Sequence, residues 1–140
     1  MNWTEKKVVV LGGGGFLGRY IVEQLSSLGC NDISSFGRSD QPELRSLGVN
    51  VIQGDMQDSN AVDSACDGVD VVFLAAAKAG VWGTWSEYYG INVLGVENVV
   101  SACRKGGAAA LVYTSSPSVA YSAEVDVENI IFQATIYIDE

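Results

Sequence analysis

Val8-Val9-Val10-Leu11-Gly12-Gly13-Gly14-Gly15-Phe16-Leu17-Gly18 joins a continuous apolar run to a cluster of glycines. Apolar residues in unbroken succession suit a short strand buried on both faces of a parallel sheet. Beyond the glycines, Phe16, Leu17, Tyr20, Ile21, Leu25 and Leu28 recur at three- and four-residue spacing, as on the buried face of a helix, and Gly29 stops it. The unit reads as strand, glycine turn, helix. Glycines 13, 15 and 18 match G-x-G-x-x-G, and glycines 12, 15 and 18 match G-x-x-G-x-x-G. Between a strand and a helix, such a turn allows backbone to approach a pyrophosphate closely and the helix to pack on the strand. The helix N-terminus then offers unpaired N–H groups and a partial positive charge to an anion. A P-loop is excluded, because Gly18 is followed by Arg19 and Tyr20 rather than by Lys and Ser or Thr. A dinucleotide is the better ligand, the alternative being a flexible loop that holds nothing.

Working outward, Asp32 to Phe36 reads as a second strand and Gly37 to Glu43 as its exit loop. A short helix through Leu44 and Leu47 leads to a third strand, Val49 to Ile52, ended by Gly54-Asp55. Ala61 to Ala65 is helical, Val69 to Ala77 fits a fourth strand, Tyr88 to Cys103 a helix, and Ala108 to Thr114 a fifth strand. Strands alternating with helices imply right-handed crossovers and an α/β, doubly wound parallel sheet of about five strands, Rossmann-like. Residues 1–121 are assigned to that dinucleotide-binding domain and residues 122–140 to an irregular tail. From Asp126 to Asp139 the pattern fits neither strand nor helix clearly; pairing with the sheet edge and self-association through Ile130 to Ile138 are both open.

Composition narrows the classes further. The chain has 140 residues, 48% of them hydrophobic, which is room for one domain with a sizeable core. Lys plus Arg number 8 against 17 for Asp plus Glu, a formal net charge of -9, so a sequence-independent grip on nucleic-acid backbone is not expected. With no histidine, mechanisms of the Ser-His-Asp or Cys-His kind are excluded. Cys30, Cys66 and Cys103 lack any C-x-x-C spacing and are expected as buried apolar side chains in a reducing, cytoplasmic setting. No stretch reaches the ~20 apolar residues of a membrane span, and no metal-ligand pattern is present.

Dinucleotide folds place an acid for the ribose 2′-OH, or an arginine for a 2′-phosphate, about 20 residues past the last glycine. Here that window reads Phe36-Gly37-Arg38-Ser39, and Asp40 comes late. Arg38 with Ser39 tilts the choice between NADP and NAD toward NADP; the alternative for Arg38 is a solvated loop residue. Asp55, at the end of the third strand, is expected near the adenine as an acceptor, with a helix cap before Asp58 as the competing role. Trp82 and Trp85, with Val81, Tyr88 and Tyr89, form an aromatic cluster that is expected to pack under a long loop, the other role being a substrate-side lid or a homodimer contact.

Taken in order, Gly12-x-x-Gly15-Phe16-Leu17-Gly18, Gly54-Asp55-Met56, Phe73-Leu74-Ala75-Ala76-Ala77, Asn92-Val93-x-Gly95-x-x-Asn98 and Tyr113-Thr114-Ser115-Ser116 resemble the extended short-chain dehydrogenase/reductase family, in its NAD-dependent epimerase/dehydratase and 3β-hydroxysteroid dehydrogenase branch. The resemblance implies that Gly12, Gly15, Phe16, Leu17 and Gly18 line the pyrophosphate turn and that Asp55 with Met56 forms the adenine pocket. It implies that Ala75, Ala76 and Ala77 leave room for the cofactor to cross the fourth strand tip. By the same resemblance Asn92 supports the site through its amide, and Ser116 holds the substrate oxygen, with Ser115 second. The competing roles are a backbone bond within the helix for Asn92 and a strand cap for the serines.

Departures carry as much information. Leu74 stands where the family often has histidine, and Leu11 where threonine is usual. The family's Tyr-x-x-x-Lys pair, the acid/base tyrosine and its lysine, does not follow Ser116: four places after Tyr113 and Tyr121 stand Pro117 and Val125. The expectation is therefore the cofactor-binding, N-terminal part of an NAD(P)-dependent oxidoreductase or epimerase acting on a sugar-nucleotide, sterol or similar alcohol, cut before its catalytic pair and inactive alone. The alternative is a non-catalytic NAD(P)-sensing or interaction module.

Overall fold

β1 (Lys7–Leu11) runs through the middle of the sheet, with Val8, Val9, Val10 and Leu11 all buried. Its neighbours are β2 (Asp32–Gly37) on one side and β4 (Val71–Leu74) on the other, both parallel. β3 (Asn50–Gln53) extends the sheet beyond β2, and β5 (Ala110–Tyr113) extends it beyond β4. The order β3-β2-β1-β4-β5 is doubly wound, with its reversal between β1 and β4. The computed structural model describes residues 1–116 and 135–136. Thr135–Ile136 forms β6, which pairs antiparallel with Leu111 and Val112 of β5. The expected domain boundary at residue 121 and nearly all of the Ile130 to Ile138 segment lie outside the described residues.

Successive side chains of a strand point to opposite faces, so each strand feeds two cores. Val8 and Val10 pack with Ile33, Val71 and Ala110 under α1 (Phe16–Ser27) and α2 (Pro42–Ser46), through Val22, Leu25 and Leu44. On the other face Val9, Leu11, Phe36, Val72, Leu74 and Leu111 meet α3 (Ser59–Cys66) and α5 (Gly95–Gly106), through Val62, Cys66, Val99 and Cys103. Each fully buried Val or Leu contributes about 1.5–3 kcal/mol by leaving water. All three cysteines are buried and free.

Several expectations need correcting. The face of α1 that packs on the sheet is Gly18, Val22 and Leu25, whereas Phe16 is 84% exposed and Leu17, Tyr20 and Leu28 are exposed as well. The helix enters so close to the glycine turn that only a residue without a side chain fits beneath its first turn, at Gly18, and this rotates the flanking apolar residues outward. Phe16 and Tyr20 instead form an edge-to-face pair at 5.2 Å. The fourth strand ends at Leu74, because the amides of Ala75 and Ala76 both turn to the carbonyl of Leu11, at 3.0 and 2.9 Å. The long helix is not uniform: α4 (Trp85–Tyr89) runs into a π-helical turn, Gly90–Leu94, before α5. Val81, Trp82 and Trp85 do not pack under a loop; they are 87%, 88% and 80% exposed, and the half-buried member of that cluster is Tyr88.

Candidate functional site

The loops after β1, β2, β3 and β4 leave the sheet at one edge, where the strand order reverses, and together they wall a cleft of about 700 Å³. Its floor is the glycine turn. Gly12 takes φ +90°, donates its N–H to the Phe36 carbonyl at 2.8 Å, and accepts from Gly15 at 3.0 Å. A Cβ on Gly12 would stand 2.7 Å from the Ala76 nitrogen, and one on Gly18 would stand 2.0 Å from the Gly12 carbonyl oxygen. Those two glycines let three pieces of backbone meet. Gly15 differs: a Cβ there would meet only the Gly12 oxygen, at 3.3 Å, and Gly15 lines the cleft. As the N-cap of α1 it brings no side-chain bond, so the first amides of that helix are left for a ligand.

Of the residues expected in the site, Gly12, Gly15, Arg38, Asp55, Met56, Ala75, Ala76 and Ala77 line this one cleft. Phe16, Leu17 and Gly18 do not; Phe16 and Leu17 reach the turn only through their backbone at the start of α1. Asp55 does not cap α3. Asp58 does, accepting from the amides of Asn60 and Ala61, while Asp55 accepts from the Gln57 amide at 2.9 Å. Asn92 also lies off the cleft wall. Its Oδ1 accepts from the Lys78 amide at 2.8 Å and its Nδ2 donates to the Lys78 carbonyl at 2.9 Å, so it fixes the loop after β4 rather than its own helix. Ser116 is exposed beyond β5 and outside the cleft lining; Ser115 is half-buried.

Residues that sequence reasoning passed over complete the walls: Gln41, Gln57, Lys78, Ser86, Glu87 and Ile91. The signal for some of them lay in glycine spacing. A Cβ on Gly90 would come 2.3 Å from the Gln57 side chain, and one on Gly95 3.0 Å from that of Met56, so the π turn presses on the loop after β3. Asn98 ties the same loop by donating to the Met56 carbonyl at 2.9 Å. π turns recur at functional sites because they re-aim side chains within a helix.

The cleft lining carries both signs of charge, Arg38 and Lys78 against Asp40, Asp55 and Glu87. Arg38 makes no ion pair among the described residues, whereas Asp40 beside it is bound to Arg45 at 2.7 Å. Lys78 sits 3.9 Å from Glu87 and over the Tyr88 ring at 5.1 Å. The Glu87 carboxyl is held below its ordinary value by the Thr84 backbone N–H and then by Lys78. Thr84 and Glu87 close a capping box, and the Tyr88 hydroxyl donates to the Gly80 carbonyl at 2.8 Å, so the loop over the cleft is tied down at several points.

The sequence from residue 9 to residue 132 matches the 3-beta hydroxysteroid dehydrogenase/isomerase family. The chain belongs to that family. Among curated relatives, it is 47% identical over 124 residues to the 2-alkyl-3-oxoalkanoate reductase of Stenotrophomonas maltophilia, covering 89% of this chain and 37% of that protein. It is 32% identical over 126 residues to human sterol-4-alpha-carboxylate 3-dehydrogenase, decarboxylating, covering 89% and 32%. Among solved structures, UDP-glucose 4-epimerase of Thermus thermophilus, in complex with NAD, superposes with a TM-score of 0.68 at 28% identity over 79% of this chain and 38% of that one. The Bordetella bronchiseptica enzyme WbmG shares the fold at a TM-score of 0.78 and 24% identity, over 95% and 44%. This member of the 3-beta hydroxysteroid dehydrogenase/isomerase family thus spans about a third of the length of the curated relatives it matches.

Proposed function

We propose that this chain binds a nicotinamide dinucleotide in the cleft above β1 and β4, as the cofactor-holding part of an NAD(P)-dependent oxidoreductase. The observation that carries this is the glycine turn: a bare Gly15 on the cleft floor beside an α1 N-terminus that no side chain caps. A pyrophosphate supplies the negative charge and acceptors that those amides lack. Asp55 and Met56 flank the adenine end, and Ala75, Ala76 and Ala77 leave the β4 end open for the nicotinamide half. The cofactor supplies hydride chemistry when bound.

Arg38, uncommitted to any acid among the described residues, supports NADP(H) over NAD(H), with its guanidinium toward a 2′-phosphate. The NAD-bound epimerase supports the dinucleotide itself. The reductase at 47% identity supports interconversion of a ketone and a secondary alcohol as the reaction class, with sterols or sugar nucleotides as the wider substrate range. No Tyr-x-x-x-Lys pair occurs in these 140 residues. The chain alone therefore binds without turnover, with Asn92 positioning the Lys78 loop and Ser116 assigned to the substrate oxygen.

Saturation-transfer NMR with NADPH tests this reading. Adenine and nicotinamide protons both receive saturation from the folded chain; their silence would overturn it. Oxidation of NADPH by this chain with a 3-oxoalkanoate would overturn the absence of turnover.

A further inference from the structure

Among the described residues, Ser35 is the buried polar side chain, with no surface accessible at all. It sits in β2, and its hydroxyl donates to Oε1 of Gln41. Gln41 occupies the N-cap of α2, yet its side chain makes no capping bond there. The amide crosses instead to the glycine turn. A Cβ on Gly14 would lie 3.2 Å from Gln41 Nε2, and one on Gly37 would lie 2.8 Å from it. Gln41 thus lies in the cleft wall between the turn and the tip of β2, alongside Arg38 and Ser39.

A buried hydroxyl left without a partner is costly, and the bond that supplies one has Ser35 donating to Oε1, which turns the Gln41 oxygen inward. With Oε1 held inward, Nε2 carries the donors on the cleft side, and no protein acceptor takes them among the described residues. The turn is built around this: both glycines that flank the amide lack the side chain that would displace it.

We propose that Gln41, oriented by Ser35, determines specificity at the 2′ position of the cofactor's adenosine ribose, donating from Nε2 to a 2′-phosphate beside Arg38. This rests on the dinucleotide reading above. A carboxylate in the same place would accept from a ribose hydroxyl and repel a phosphate; an amide held this way round does the opposite.

Dissociation constants for NADPH and NADH with the wild-type chain, Gln41→Glu and Ser35→Ala test the proposal. Gln41→Glu keeps the shape and the acceptor for Ser35 but replaces the donor by an anion. Wild type binds NADPH the more tightly. Gln41→Glu weakens NADPH by about tenfold or more, as loss of a charge-assisted bond requires, and leaves NADH within about twofold, which also reports that the fold is intact. Ser35→Ala lowers the NADPH-to-NADH preference by a smaller factor, because the freed amide rotates. A preference unchanged in Gln41→Glu, or no preference in wild type, overturns the role of Gln41 and leaves dinucleotide binding standing. A preference unchanged in Ser35→Ala overturns the orienting role of Ser35. Folded wild type that binds neither nucleotide overturns the dinucleotide reading itself.

Discussion

Asn92 holds Lys78 by both of its backbone polar groups, accepting from its amide at 2.8 Å and donating to its carbonyl at 2.9 Å. The pair joins the π turn to the loop after β4 and is partly shielded from water. Asn92→Ala leaves both Lys78 groups without their partner and costs about 1–3 kcal/mol. Asn92→Asp keeps the acceptor and sets a second oxygen against the carbonyl, so it recovers little. Urea unfolding measures the cost, and amide hydrogen exchange at Lys78 localises it. Exchange as slow as in wild type would contradict the clamp.

The glycines of the turn differ in what they tolerate. In Gly18→Ala the new methyl meets the Gly12 carbonyl at 2.0 Å, and in Gly12→Ala it meets the Ala76 nitrogen at 2.7 Å at a φ of +90°. Each forces backbone to move and costs about 1–3 kcal/mol or more. In Gly14→Ala the neighbour is the Gln41 side chain at 2.9 Å rather than backbone, so what must shift is that side chain and its bond to Ser35, and the cost stays below that of Gly18→Ala. Denaturation midpoints rank them, and a Gly14→Ala as damaging as Gly18→Ala would contradict the packing.

Much of the fold is legible in the chain. The apolar run at Val8 to Leu11 and the glycines after it place β1, the turn and α1, because burial on both faces and close backbone approach leave plain signatures. Alternation of strands and helices gives the sheet. The face of α1 is not legible, since Phe16, Leu17 and Tyr20 carry helical spacing although a side-chain-free position, Gly18, is what packs. Hydrophobic periodicity cannot weigh an absent side chain against a large one. The cap of α3 is ambiguous between Asp55 and Asp58 for a similar reason: both are acids near a helix start, and only geometry separates them. Gln41 carries no sequence signal, its role arising from Ser35 across the turn.

One source of acid sensitivity lies at the far end of the sheet from the cleft. Asp70 accepts from the Lys7 amide at 2.8 Å and from the Lys6 ammonium at 2.9 Å, and these in that order hold its carboxyl below the ordinary value of 3.8. The folded state therefore binds this proton less readily than the unfolded chain. Its contribution is complete above the unfolded value and is lost as pH falls through the lower folded one. Unfolding followed from neutral to strongly acidic pH shows a shallower acid limb in Asp70→Asn than in wild type. Superimposable acid limbs would remove Asp70 as a source.

Cys66 and Cys103 bring α3 and α5 together, both without accessible surface. The hydrogen bond with Cys103 and burial push the Cys66 thiol up, so it is neutral at any physiological pH. Iodoacetamide at mildly alkaline pH leaves Cys66 unmodified in the native chain and alkylates it in urea. Rapid native modification, read by peptide mass, would show that the two helices are not packed as described.

Binding at the glycine turn is the central claim, and calorimetric titration of NADPH and NADH into the wild-type chain and Gly15→Val tests it most directly. A Cβ at Gly15 meets only the Gly12 oxygen, at 3.3 Å, and Gly15 lines the cleft, so the variant is expected to fold with its floor filled, which circular dichroism checks. Wild type gives saturable one-to-one binding, and Gly15→Val weakens it by about a hundredfold or more, as expected when backbone can no longer approach the pyrophosphate. No heat with either nucleotide on folded wild type, or undiminished binding by Gly15→Val, contradicts the claim.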